Sequence, residues 1–319
     1  MTFEEAFSSI GDDSRSILLA NGFSQAWNKN IFSYKSLFSS AEFGEREQVI
    51  RRIFDNFKTY DFEKIMKKLI ATEDVLKIYN ADPGLIQKVQ TDQEVIKNAL
   101  IEVISKTHPE LPHEVTDSQY VSVRKFLKPF DDVFTLNYDL LFYWARNKDR
   151  LEPDYETDDG FRAGRIWEGP PTQNVHFLHG GLHIYDTQAG VKKHAFNDQG
   201  ESIIEQVKWN MENKRFPTFV SEPSHERKRV RIQHNPYLSY CFDRLGGLDG
   251  VLFIYGHSFD ANDRHIFDQI RWSRVYRVFV SVYGDEDSEE NTLMKGRAQA
   301  YLGAHKVEFF KAESARIWR

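Results

Sequence analysis

The sequence predicts an α/β fold, a mostly parallel sheet carrying a helical insertion. Three observations predict it. Seven short apolar runs punctuate the chain, amphipathic stretches of helical period lie between them, and four of the runs end in glycine or small polar residues. The runs are residues 16–21 (SILLAN), 132–137 (DVFTLN), 174–180 (NVHFLHG), 216–221 (FPTFVS), 251–256 (VLFIYG), 276–282 (YRVFVSV) and 306–311 (KVEFFK). They are continuous rather than alternating, as expected of strands buried on both faces of a parallel sheet.

The helices follow from spacing. Residues 61–79 place Phe62, Ile65, Met66, Leu69 and Ile70 on one face, and residues 85–104 do the same with Leu85, Val89, Ile96, Leu100 and Ile104. Residues 235–245, 260–272 and 291–302 also read as helices. Residues 33–128 hold no strand-like run, so they form the insertion, and residues 1–32 with 129–319 form the core. Strand–helix alternation in that core predicts a doubly wound sheet. Residues 150–172 read as a long polar loop, a common form for an active-site lid.

Composition narrows the function. The chain has 319 residues, 40% hydrophobic and 28% charged, with a formal net charge of −6. No overall basic field points to nucleic acid. Cys241 is the one cysteine, so neither an internal disulfide nor a cysteine-based zinc site is possible, and a reducing compartment is expected. The first thirty residues carry Glu4, Glu5, Asp12 and Asp13 rather than a basic region and an apolar run. No stretch approaches the ~20 apolar residues of a membrane helix. A cytoplasmic location is the expectation.

Ligands of open α/β sheets bind beyond the carboxyl ends of the strands, which directs attention to four run ends: Asn21-Gly22-Phe23-Ser24, Asn137-Tyr138-Asp139, His179-Gly180-Gly181 and Gly256-His257-Ser258. Asn21-Gly22 suits positive φ and a close approach of backbone N–H groups to phosphate. Asn137 and Asp139 suit ribose hydroxyls or a water, and His179 has the ordinary pKa of a general base near neutrality. Gly256 lets a ligand lie on the backbone, and Ser258 offers a donor. Each motif also has a plainer use: glycines make turns, Asn137 and Asp139 cap a following helix, and a histidine before Gly-Gly braces a loop. The fold would bring all four ends to one crevice.

Taken together, these motifs resemble the sirtuin-like superfamily and, within it, a bacterial family of unknown function. The shared pattern is a first loop here reading Ala20-Asn21-Gly22-Phe23-Ser24, then Thr135-Leu136-Asn137-Tyr138-Asp139, Phe177-Leu178-His179-Gly180-Gly181, and Gly256-His257-Ser258-Phe259 followed by Asp263-Arg264-His265-Ile266. Phe219-Val220-Ser221-Glu222 and Asn235-Pro236-Tyr237-Leu238 are similar as well. The resemblance implies a Rossmann-like fold that binds NAD, with Asn21, Gly22, Phe23, Ser24, Gly256, His257 and Ser258 in the cofactor loops, Asn137 and Asp139 at the nicotinamide ribose, and His179 as the base. Three departures stand out. Ala20 replaces a usual glycine, Leu136 and Tyr138 replace the sirtuin Gln and Ile, and the four cysteines of a deacylase zinc ribbon are missing. The implied activity is NAD glycohydrolysis to nicotinamide and ADP-ribose, in bacteria often a regulated anti-phage effector function, with a regulatory protein partner or homo-oligomer as possible company.

Other readings compete. A sensor binding NAD or ADP-ribose without turnover would show the same motifs, and NAD-dependent deacylation or ADP-ribosyl transfer would use the same cofactor. A metal hydrolase would draw on His176, His179 and His183, or on His257, Asp260, Asp263 and His265, although Asp260 or Asn262 is also a natural helix cap. No metal is the expectation. The basic run Arg227-Lys228-Arg229 with Arg231 reads as a solvated helix face, and Cys241 as core. Neither G-x-G-x-x-G nor G-x-x-x-x-G-K-[ST] occurs.

Overall fold

The computed structural model describes residues 1–151, 155–195, 201–213, 215–222 and 224–319. Its centre is a six-stranded sheet in which every neighbouring pair runs parallel. The strands are β1 (Arg15–Leu19), β2 (Asp132–Thr135), β3 (Val175–Phe177), β7 (Asp249–Tyr255), β8 (Arg274–Val282) and β9 (Val307–Lys311). Their order is β3-β2-β1-β7-β8-β9, the doubly wound arrangement with its direction reversing between β1 and β7. Ile17, Leu18 and Leu19 of β1 and Val251, Leu252, Phe253 and Ile254 of β7 are fully buried, which is why their sequence shows no polar alternation.

Helices account for all the regular structure between β1 and β2: α2 (Asn21–Phe32), α3 (Tyr34–Ser40), α4 (Glu47–Asn56), α5 (Phe62–Ile78), α6 (Pro83–Thr107) and α7 (Asp117–Leu127), after an N-terminal α1 (Phe3–Ser8). Asp61 caps α5 through the N–H groups of Glu63 and Lys64. Asp82 caps α6 ahead of Pro83. Helix α8 (Leu141–Asn147) follows β2, and α11 (Pro236–Gly246), capped by Asn235, precedes β7. Helix α12 (Arg264–Trp272) lies between β7 and β8, and α13 (Glu289–Leu302) between β8 and β9.

Two parts depart from the expected layout. The run at 216–221 is not in the parallel sheet. It supplies β6 (Pro217–Phe219), the edge of a separate antiparallel sheet of order β5-β4-β6, with β4 (Gly180–Thr187) and β5 (Gly190–Lys193). Pro217 at the start of β6 fits an edge strand, since proline has no N–H to donate to a ladder. Helices α9 (Ile203–Glu212) and α10 (His225–Gln233) flank β6 in sequence. The polar loop at 150–172 is anchored on the small sheet and α8. Its described residues are tied down by Asp159, whose Oδ2 lies 2.6 Å from both Arg146 Nη1 and Lys193 Nζ, and by bridges Phe161–Trp167 and Ile166–Lys192. Residues 152–154 of that loop lie outside the described ones. Among the described residues, no helix is long and apolar enough to cross a membrane.

Candidate active site

A cavity of about 1360 Å³ opens at the carboxyl ends of β1, β2 and β7, where the sheet order reverses. Asn21, Gly22, Asn137, Asp139, His179, Gly256, His257 and Ser258 all line it. Phe23 and Ser24 do not. Both are fully buried, because the first loop is the opening turn of α2 and helical geometry turns positions 23 and 24 inward. Phe23 packs against Trp318 at 5.1 Å between ring centroids, and its carbonyl accepts the Trp318 indole N–H at 2.8 Å.

Glycine at positions 22 and 256 has a packing cause. A Cβ on Gly256 would come within 2.7 Å of the Gly22 nitrogen, and one on Gly22 would overlap the Gly256 backbone. Gly256 has φ +73° and donates its N–H to Ser281 Oγ at 2.8 Å. Gly22 lies in α2 rather than at positive φ, and its N–H is donated to the Gly256 carbonyl at 3.0 Å. It is therefore not a free phosphate donor; the glycine pair brings two strand ends together. The N-cap of α2 is Ala20, which makes no side-chain capping bond; the Gly22 and Phe23 N–H groups of its first turn are donated to the Gly256 and Ala20 carbonyls.

Beside this contact, Ser24 joins the second motif. Its hydroxyl donates to Asp139 Oδ2 at 2.5 Å and accepts from Asn137 Nδ2 at 2.9 Å. Asp139 Oδ1 accepts the Leu141 N–H at 2.9 Å, so the capping role and the site role coexist. Burial raises the Asp139 carboxyl to about 6 and outweighs those two bonds. From the helical segment, His108 Nε2 accepts the Leu140 N–H at 2.9 Å and braces the same turn.

His179 follows β3 and precedes Gly180, which has φ +78° and would clash with the Thr218 carbonyl if it carried a Cβ. Its Nε2 is 3.2 Å from His265 Nε2 and 4.0 Å from Asp263 Oδ1. Burial, with nearby Lys228 adding to it, holds His179 well below the usual histidine range, so its neutral imidazole is the resting form. His265 falls to about 3, chiefly through burial. The two other histidines of that motif do not join it: His176 pairs with Asp132 at 3.1 Å, and His183 lies against Tyr143.

The unexpected member is Lys228. The flanking residues of its basic run read correctly as a solvated face, but the Lys228 side chain is only 1% exposed. Its ammonium lies 2.8 Å from Glu63 Oε2 and 2.9 Å from Asp263 Oδ1. Burial presses on Asp263 to take up a proton, yet Lys228, His257 and His179 together hold its carboxyl well below the usual range. Glu63 is raised to about 7, because burial outweighs its one ammonium. His179, Asp263 and His265 present donor atoms within 4.8 Å of one another, a set that could hold a metal ion; the Lys228 ammonium already supplies positive charge to that carboxylate.

The fold and cavity define a doubly wound α/β protein with a polar site at its strand-order reversal. The family model described as a domain of unknown function (DUF4917) matches residues 17–318, and the chain belongs to that family. No curated protein matches it. Among solved structures it is similar to a sirtuin studied for substrate affinity, at 10% identity and TM-score 0.45, covering 99% of this chain and 97% of that one. It is also similar to a Sir2 homolog–NAD complex, at 11% identity and TM-score 0.36, covering 96% of each chain.

Proposed function

We propose that the protein binds NAD in this cavity and hydrolyses the nicotinamide–ribose bond. The observation that supports this reading is the shared lining of one cavity at the sheet reversal: the Gly22–Gly256 contact and the first turn of α2 on one side, and Asn137, Asp139 and His179 on the other. At about 1360 Å³ the cavity exceeds the roughly 300–1,000 Å³ of ordinary small-molecule pockets and suits an extended dinucleotide. The positive dipole end of α2, which has no side-chain cap, suits the diphosphate. The motif resemblance selects NAD among dinucleotides.

The chemistry follows from the groups. The C1′–N bond breaks and its electron pair leaves with neutral nicotinamide. The oxocarbenium-like ribose is stabilised by the Asp139 carboxylate, which Ser24 holds in place. Asn137 orients the ribose and a water. The water oxygen bonds to C1′, and its proton passes to neutral His179. The products are nicotinamide, ADP-ribose and one proton.

Incubating NAD with the purified protein tests the reading: nicotinamide and ADP-ribose are expected in equal amounts. Saturable NAD binding without either product would support a sensor. Neither binding nor release would overturn the assignment.

A further inference from the structure

We propose that His108 is the positioning residue for the turn that carries Asn137 and Asp139, an inference that rests on the roles given to those two residues above. His108 is the C-cap of α6, in the helical insertion, and its side chain reaches the start of α8, 32 residues further on. The reason lies in α8 itself. Its N-cap is Leu140, which makes no side-chain capping bond. The N–H of an N-cap residue has no partner within its own helix. A capping box would meet it with Glu or Gln at the third helical position, where α8 has Tyr143. Instead the Leu140 N–H is donated to His108 Nε2 at 2.9 Å, and the next one, of Leu141, to Asp139 Oδ1 at 2.9 Å. The first turn of α8 is thus tied both to the insertion and to the carboxylate of the site.

The hydrogen positions follow from the partners. His108 Nδ1 lies 2.7 Å from the Pro109 carbonyl, which can only accept, and Nε2 faces an N–H, which can only donate. A neutral imidazole with its hydrogen on Nδ1 satisfies both; the other tautomer and the imidazolium do not. Burial holds His108 down to about 4, so the neutral ring is the form present near neutrality. The ring is also fixed by its neighbours. Trp144 of α8 stands at 80° to it with centroids 4.7 Å apart, and Phe32 of α2 at 80° and 6.0 Å. Leu140 and His108 are both buried, so bulk water does not stand ready to replace the acceptor.

The other ties on this turn come from elsewhere. Thr135 Oγ1 accepts the Asn137 N–H at 3.1 Å, and Ser24 of α2 links Asn137 to Asp139. The Tyr138 carbonyl accepts the Leu182 N–H of β4 at 2.8 Å, and its hydroxyl donates to the Val220 carbonyl at 2.6 Å. These bonds hold residues 137 and 138, whereas His108 holds the backbone on the far side of Asp139. Without it the chain between Asp139 and α8 is free to shift, and the carboxylate shifts with it. A displacement of about 1 Å at reacting groups can cost on the order of 100-fold in rate. The Gly22–Gly256 contact that shapes the cofactor side is made without His108, so the loss falls on turnover rather than on NAD binding.

The test compares the wild type, His108→Ala and His108→Gln as full chains labelled with ¹⁵N in histidine and leucine. In the wild type, NMR is expected to show His108 as the Nδ1–H tautomer and the Leu140 amide as slow to exchange with solvent. His108→Ala is expected to speed that exchange at least about tenfold. It is also expected to lower kcat for nicotinamide release about 30-fold while KM for NAD stays within about threefold. His108→Gln, whose side-chain oxygen reaches the position of Nε2, is expected to bring both exchange and kcat back to within about fivefold of the wild type. A role confined to stability would leave kcat per folded molecule unchanged in His108→Ala. That result, a wild-type His108 carrying its hydrogen on Nε2, or unchanged Leu140 exchange in His108→Ala would each overturn the proposal. If the wild type releases no nicotinamide, the hydrolase reading fails and the tautomer and exchange results alone decide the inference. If His108→Ala does not fold, His108→Gln decides it: Leu140 protection kept while kcat is lost would overturn the proposal, and both kept would support it.

Discussion

Replacing Lys228 by methionine removes a buried cation held between two carboxylates from distant parts of the chain. The ammonium lies 2.8 Å from Glu63 and 2.9 Å from Asp263, with 1% of the side chain exposed. Methionine fills much of the same volume, so the cost is electrostatic rather than a cavity. Stranding one partner of a buried ion pair costs about 3–5 kcal/mol, or on the order of 6–10 °C in Tm at roughly 2 °C per kcal/mol for a chain of this size. Adding Glu63→Gln to Lys228→Met removes one stranded charge and is expected to recover about 1 kcal/mol or more, a coupling that a double-mutant cycle isolates. The pH dependence has a definite sign. Glu63 already titrates at about 7 against an ordinary 4.5, so the native state holds this proton more tightly than the unfolded chain, and its contribution is lost as pH rises through that window. Lys228→Met widens the window upward and should therefore be weaker, relative to wild type, at pH 8 than at pH 5.5. Calorimetric melts of the wild type, Lys228→Met, Glu63→Gln and the double variant at both pH values supply the numbers. A Lys228→Met protein melting with the wild type, or one relatively stronger at pH 8, would refute the reasoning.

Other outcomes follow from the same geometry. Gly256→Ala places a methyl against the Gly22 nitrogen at φ +73° and is expected to cost about 2–4 kcal/mol and abolish measurable NAD binding, checked by thermal melts and calorimetric titration. Ser24→Ala removes a donor from Asp139 and a partner from Asn137; nicotinamide release should fall about 10–100-fold with its acid limb moved to higher pH, read from rate–pH profiles. His108 and His194 are both held down to about 4 by burial, so the unfolded chain takes up protons below 6.5 that the native state refuses. Stability should drop as pH falls from 6.5 toward 4, by on the order of 3 kcal/mol per histidine, and His194→Gln should flatten the curve.

The strand ends were legible because chemistry-bearing residues stood where apolar runs stop. Asn137, Asp139, His179 and Gly256 needed only the rule that such ends converge. The inward turn of Phe23 and Ser24 was harder to read, because a loop motif and the first turn of a helix look alike in sequence; only α2 starting at Asn21 separates the cavity-facing positions from the buried ones. The small sheet was obscured in a similar way. The apolar run around Pro217 reads as a core strand, and β4 begins with two glycines that carry no strand signal. Lys228 had no local signature at all. Its neighbours Arg227 and Arg229 are solvated, and its partner Glu63 is 165 residues away, so the pairing exists only in three dimensions. The aspartate of the Asp263-Arg264-His265 motif was visible, but its pairing with His257 and Lys228 brings together separate segments of the chain.

The central claim is tested most directly by quantifying nicotinamide released from NAD by the wild type, Asn137→Ala and His179→Ala under identical conditions. The account predicts release by the wild type and a loss of at least about 100-fold in each variant, with both still folded. Release that persists in the two variants, or NAD left intact by a wild type that binds it, would contradict it.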